Sequence, residues 1–131
     1  MSLNNNGRRL AFLLVADVIV LAMVTLFGFA SHGSLGSAGS RLLTTFIPLV
    51  IAWFLVAPFL GAYDLQRVSD FRQLWRPFWA MVLAGPMAAM LRGFILNSPI
   101  LPIFVVVLGG VSALSILIWR MVYALIATRR R

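Results

Sequence analysis

The sequence predicts an all-α bundle of four membrane-crossing helices, with both chain termini on the same side. Three observations carry that expectation. Of 131 residues, 62% are hydrophobic and only 11% are charged. Water-soluble domains carry about 25% charged residues, so this chain has too little charge to cover a surface in water. The apolar residues gather into four runs, each near the roughly 20 residues that the hydrocarbon core requires. The arginines gather in alternate connections between those runs, a distribution that orients a bundle in a bilayer.

The first run covers about residues 10–30. Arg8 and Arg9 precede it, as they would in a secretory signal. Signal cores span only about 7–15 residues, whereas this run is longer and contains Asp17, so it reads as an uncleaved first helix. Residues 31–40 are almost all small and read as a flexible loop. The second run covers about 42–62 and the third about 74–96. Between them, Asp64, Arg67 and Asp70 stand at a spacing that would let them pair along a helical turn. Trp75 and Trp79 mark entry into the third helix through the membrane interface. Asn97, Ser98 and Pro99 make a very short turn, which predicts a tight antiparallel hairpin with the fourth run at about 100–127. The prolines of the second and third runs are too weakly matched to read as an inverted repeat. The chain reads as a single domain over residues 1–131.

One side of this arrangement collects Arg8, Arg9, Arg67, Arg72, Arg76, Arg129, Arg130 and Arg131; the other has Arg41 alone. Short arginine-rich segments stay in the cytoplasm, so both termini are expected there. The net charge of +8 is therefore read as contact with anionic lipid headgroups, with no nucleic-acid role.

Lipid supplies no hydrophobic drive for helix pairing, so close packing needs small residues and polar groups. Gly85, Ala89 and Gly93 repeat at every fourth position of the third run, and Gly109 and Ala113 do the same in the fourth. They are expected to let helices approach closely. Gly85-Pro86 is also a candidate break that would open a ligand site.

Two groups of polar residues are candidates for function. Asp17 and Arg120 lie on different helices at a similar depth, about 10 Å from one end at 1.5 Å per residue. A lone charge there costs about 2.5–3.5 kcal/mol, and an ion pair would lower that cost. The alternatives are an Arg120 that snorkels to the headgroups beside an interfacial Trp119, or a functional ion or proton site. His32, Arg41, Arg92 and Asn97 form the second group, near the opposite end. They could bind an anion or lipid headgroup, or simply form an interfacial hydrogen-bond network with Arg92 reaching outward.

Catalytic signatures are missing. The sequence has no cysteine, no glutamate and a single histidine. That removes thiolate chemistry and any bis-histidine haem within one chain. No nucleophile elbow or phosphate loop is present. No catalytic residue, cofactor or metal is expected.

Asp17, "FGFASHG" at 27–33, "TTFIPLVIAWFLVAPFLGAYD" at 44–64, "MLRG" at 90–93 and "IWR" at 118–120 are spread in order over nearly the whole chain. Together they resemble a family of small bacterial and archaeal membrane proteins, the domain of unknown function numbered three thousand and fifty-four. Its pattern maps onto Asp17, Gly28, His32, Pro48, Trp53, Arg92, Trp119 and Arg120. The resemblance implies a four-helix membrane fold and carries no known activity. The expected role is a non-enzymatic accessory or scaffold subunit, packing by its glycine faces in a larger membrane complex or homo-oligomer. The alternative is a small transporter or channel-like protein that uses Asp17, Arg120, Arg92 and His32 for an ion or small anion. The expected location is the bacterial or archaeal cytoplasmic membrane.

Overall fold

A computed structural model describes residues 2–31, 33, 35–37 and 39–130. It is all-helical, with four helices long and apolar enough to cross a membrane and no strand among the described residues. Helix α1 is Ser2–Ser31, α2 is Ser40–Val56, α3 is Trp75–Leu96 and α4 is Pro102–Arg129. Helix α3 packs closely on both α2 and α4, while α1 leans on α2 and α4 more sparsely.

The ends of the helices differ from the apolar runs for local reasons. Helix α1 begins well before residue 10, because apolarity marks the lipid crossing and not the reach of the backbone hydrogen bonds. Its added turns, Asn4 to Arg8, are exposed. Helix α2 tightens into a 3₁₀ turn at Ala57–Leu60 around Pro58, which has no N–H to continue the ladder. Gly61 then takes a left-handed φ of 73° and stops the helix. At the other end of the bundle, Asn97 caps α3 with φ 48°, and the N–H of Ser98 donates to the Gly93 carbonyl at 3.1 Å. The following chain is extended at Leu101, so α4 begins at Pro102, where a proline at the first turn costs no hydrogen bond.

The buried interior is slim. Leu21, Leu49, Trp53, Met81 and Ile116 fill it, between the alanines 52, 80, 84, 88 and 113. Large apolar side chains point outward instead: Phe59 is 90% exposed, Phe94 79% and Ile103 73%. In water such a surface would drive aggregation; in a bilayer it faces lipid.

The small residues sit at the helix contacts. A Cβ placed on Gly85 would lie 2.8 Å from the Gly109 Cα, so α3 and α4 touch backbone to backbone there. Ala89 and Ala113 are buried on the same two helices. Gly93 faces the turn instead, where a Cβ would meet Ile100 Cγ1 at 2.9 Å and the Ser98 carbonyl at 3.3 Å. Two expectations are corrected here. Helix α3 runs unbroken through Pro86, so Gly85-Pro86 opens no site. Gly85, Ala89, Gly109 and Ala113 are consumed by packing within the chain, which leaves those faces unavailable to a partner.

Candidate functional site

The polar centre of the bundle forms where α1, α2, α4 and the connection after α2 converge. Asp17 projects from α1 and is fully buried; Arg120 projects from α4 and is 2% exposed. Arg120 grips the carboxylate with two nitrogens: Nη2 donates to Oδ2 at 2.7 Å and Nε donates to Oδ1 at 3.3 Å. Its remaining nitrogen, Nη1, donates to the Ala62 carbonyl at 2.8 Å. Two further donors complete the carboxylate. The Trp119 indole N–H donates to Oδ1 at 2.9 Å, and the Tyr63 hydroxyl donates to Oδ2 at 2.5 Å. Tyr63 in turn accepts from the Trp53 indole N–H at 2.8 Å.

Local sequence explains how each group gets there. Pro58 and Gly61 end α2 abruptly, and the reversal turns the Ala62 carbonyl and the Tyr63 ring back toward the interior. Arg76 holds that reversal from α3, donating to the Leu60 carbonyl at 2.8 Å. A Cβ on Gly61 would lie 2.9 Å from Arg76 Nη1, so the clamp also uses the missing side chain. The Arg120 guanidinium carbon lies 5.1 Å from the Tyr63 ring centroid, adding a cation–π contact. Burial first, and the Asp17 carboxylate second, push the Tyr63 hydroxyl well above its ordinary pKa, so the phenol stays protonated and donates.

Each carboxylate oxygen accepts two hydrogen bonds, and each guanidinium nitrogen donates one, so both oxygens of Asp17 are engaged within the protein. Among the described residues no group of histidine, cysteine or carboxylate could hold a metal ion.

Tyr63 and the Ala62 carbonyl are additions that the sequence reading missed, because neither lies on a helical period with Asp17. Trp53 was visible only through the family resemblance. The expectation of an interfacial Trp119 is corrected: its indole nitrogen serves Asp17. A snorkelling Arg120 is excluded by its burial and its partners.

Among its described residues the second group shares no hydrogen bond, although Arg41 lies near enough to Arg92 for their like charges to interact. Arg92 Nε donates to Thr45 Oγ1 at 3.1 Å, and its guanidinium lies 4.9 Å from the Phe104 ring centroid. Arg41 instead donates to the Ser37 carbonyl at 3.2 Å, close to where α2 begins. Asn97 acts through its backbone as the cap of α3. His32 lies outside the described residues. A groove of about 320 Å³, lined by Arg92, Thr45, Thr25 and Phe104, opens at this end. The acidic connection is also corrected. Asp64 pairs with Arg67 at 3.2 Å, but Asp70 accepts from the Arg72 backbone N–H at 2.9 Å, so no ladder forms.

Comparison with curated proteins and with solved structures returned no match. A family model described as "Protein of unknown function (DUF3054)" matches residues 14–123, a stretch that contains every side chain of the buried network. That match covers most of the chain, and the chain belongs to that family.

Proposed function

We propose that the protein is a non-enzymatic accessory or scaffold subunit of a bacterial or archaeal cytoplasmic membrane. In this reading both termini lie in the cytoplasm and residues 31–40 lie outside, which the arginine distribution supports. One observation carries the reading: Asp17, the one carboxylate within the apolar helices, has both oxygens committed to a buried network. A carrier needs its charged group to exchange partners; this one is held by donors from α4 and from the connection after α2. The network acts as a latch that sets how α1 and α4 meet, and the lipid-facing surface is left for association with other chains. That surface, and not the glycine faces, is where a larger complex or homo-oligomer would form.

The groove beside Arg92 supports the rival reading of a small-anion transporter, since it offers a guanidinium near one end of the bundle.

Two measurements separate the readings. Native mass spectrometry after mild extraction should show companion subunits or multiple copies. The purified chain in proteoliposomes should pass chloride, phosphate and protons no faster than empty vesicles. A flux that Arg120→Leu abolishes while the bundle remains folded would establish transport and sink the scaffold reading.

A further inference from the structure

A second polar feature lies outside the buried network, where α1 and α4 meet at the end that carries both termini. There Arg8 and Arg9 of α1 and Arg130 after α4 line a groove of about 630 Å³. The chain has only 3 acidic side chains, and all are engaged elsewhere: Asp17 by Arg120, Asp64 by Arg67 and Asp70 by the Arg72 backbone. Among the described residues no acidic side chain therefore neutralises these three guanidinium groups. Arg9 makes a long contact with the Leu65 carbonyl at 3.5 Å, which holds it at the groove edge.

The rest of the lining has a different chemistry. Phe12, Trp119 and Tyr123 form an aromatic wall, with Phe12–Trp119 centroids 5.9 Å apart and Trp119–Tyr123 centroids 6.0 Å apart. Phe12 is 56% exposed and Val15, further along α1, is 59% exposed, so apolar surface continues from the wall down the bundle. Ser69 also lines the groove, with its hydroxyl buried beneath the surface.

We propose that this groove is a specific binding site for one anionic phospholipid. The arginines hold the phosphate, the aromatic wall packs against the glycerol region, and the acyl chains follow the exposed face of α1. Guanidinium groups match phosphate oxygens in charge and geometry. The arginine set favours a headgroup with net negative charge over a zwitterionic one. The adjoining apolar surface favours a lipid over a free anion. The site does not depend on which side of the membrane the termini face, nor on whether the protein is a scaffold or a transporter.

The test is a lipid titration of the full chain in detergent, read by native mass spectrometry. The probes are dioleoylphosphatidylglycerol, dioleoylphosphatidylcholine and inorganic phosphate. One phosphatidylglycerol should bind tightly and phosphatidylcholine much more weakly. Arg8→Gln with Arg130→Gln should weaken phosphatidylglycerol by about 30-fold, taking about 1 kcal/mol for each arginine near a headgroup. Arg41→Gln with Arg72→Gln removes the same charge away from the groove and should leave that affinity unchanged. Equal losses in the two arginine pairs would replace the site with diffuse charge attraction and overturn the proposal. Full displacement of the lipid by inorganic phosphate would overturn it in favour of a soluble-anion site. Arg8 and Arg130 are exposed, so their replacement leaves the bundle intact and the comparison readable.

Discussion

Asp17 shows what one carboxylate can hold together. Its two oxygens collect donors from α4 and from the connection after α2, so it joins segments distant in the chain. Removing one member of a buried pair typically costs about 3–5 kcal/mol, because the other charge is left uncompensated. Asp17→Asn keeps the shape and strands only the arginine, so its loss should fall near the lower limit. Arg120→Leu should be worse, since a short aspartate cannot reach the headgroups and its remaining donors, Trp119 and Tyr63, are neutral. The double change Asp17→Leu with Arg120→Leu should cost less than the sum of the single leucine changes. Thermal unfolding of the four proteins in nanodiscs checks this; strict additivity would mean that the pair contributes no coupling. Tyr63→Phe removes one donor to Asp17 and the acceptor of the Trp53 indole, and should cost about 1–3 kcal/mol. An unchanged melting temperature would show that Tyr63 is a bystander.

At the scale of helices, the α3–α4 contact rests on an asymmetry between two glycines. A Cβ on Gly85 would lie 2.8 Å from the Gly109 Cα, whereas one on Gly109 would lie 3.7 Å from the Gly85 Cα, an ordinary contact. Gly85→Ala should therefore push the helices apart, with a cost of about 1–3 kcal/mol as expected for overpacking. Gly109→Ala should be close to neutral, and thermal unfolding side by side distinguishes the two. If both substitutions cost the same, the backbone approach is not where the structure places it. The apolar runs located all four helices, because crossing a bilayer demands length and apolarity that few other segments have. Their ends were less legible. The start of α1 depended on hydrogen bonding beyond the apolar run, and the end of α2 depended on how Pro58 and Gly61 act together.

At the scale of the whole molecule, the surface and the interior have exchanged their usual roles. Bulky apolar groups face outward, while the most polar contacts lie inside. The positive groups gather at one end, so the proposed orientation puts that end in the cytoplasm. Reporter fusions after Arg131 and within residues 31–40 should register opposite sides of the membrane, with the first cytoplasmic. A C-terminal fusion active on the outer side would reverse the orientation. The groove of Arg8, Arg9 and Arg130 would then face the other leaflet, and its lipid chemistry would stand unchanged.

By itself the sequence determined the class of protein and the order of its helices, because length, apolarity and the scarcity of charge are properties of the chain read end to end. It also brought Asp17 and Arg120 to equal depth, since depth follows from counting residues along a helix. Which way those side chains face is a matter of helix rotation, and rotation is set only when neighbouring helices pack. Trp119, placed at an interface by its position in the chain, thus donates to Asp17 in the folded bundle. Tyr63 reaches the same carboxylate because Gly61 turns the chain inward after α2, and no periodicity in the sequence encodes such a reversal. The buried network is a product of tertiary structure: it exists only once four segments, separated in the chain, close around one carboxylate and exclude every other partner for it.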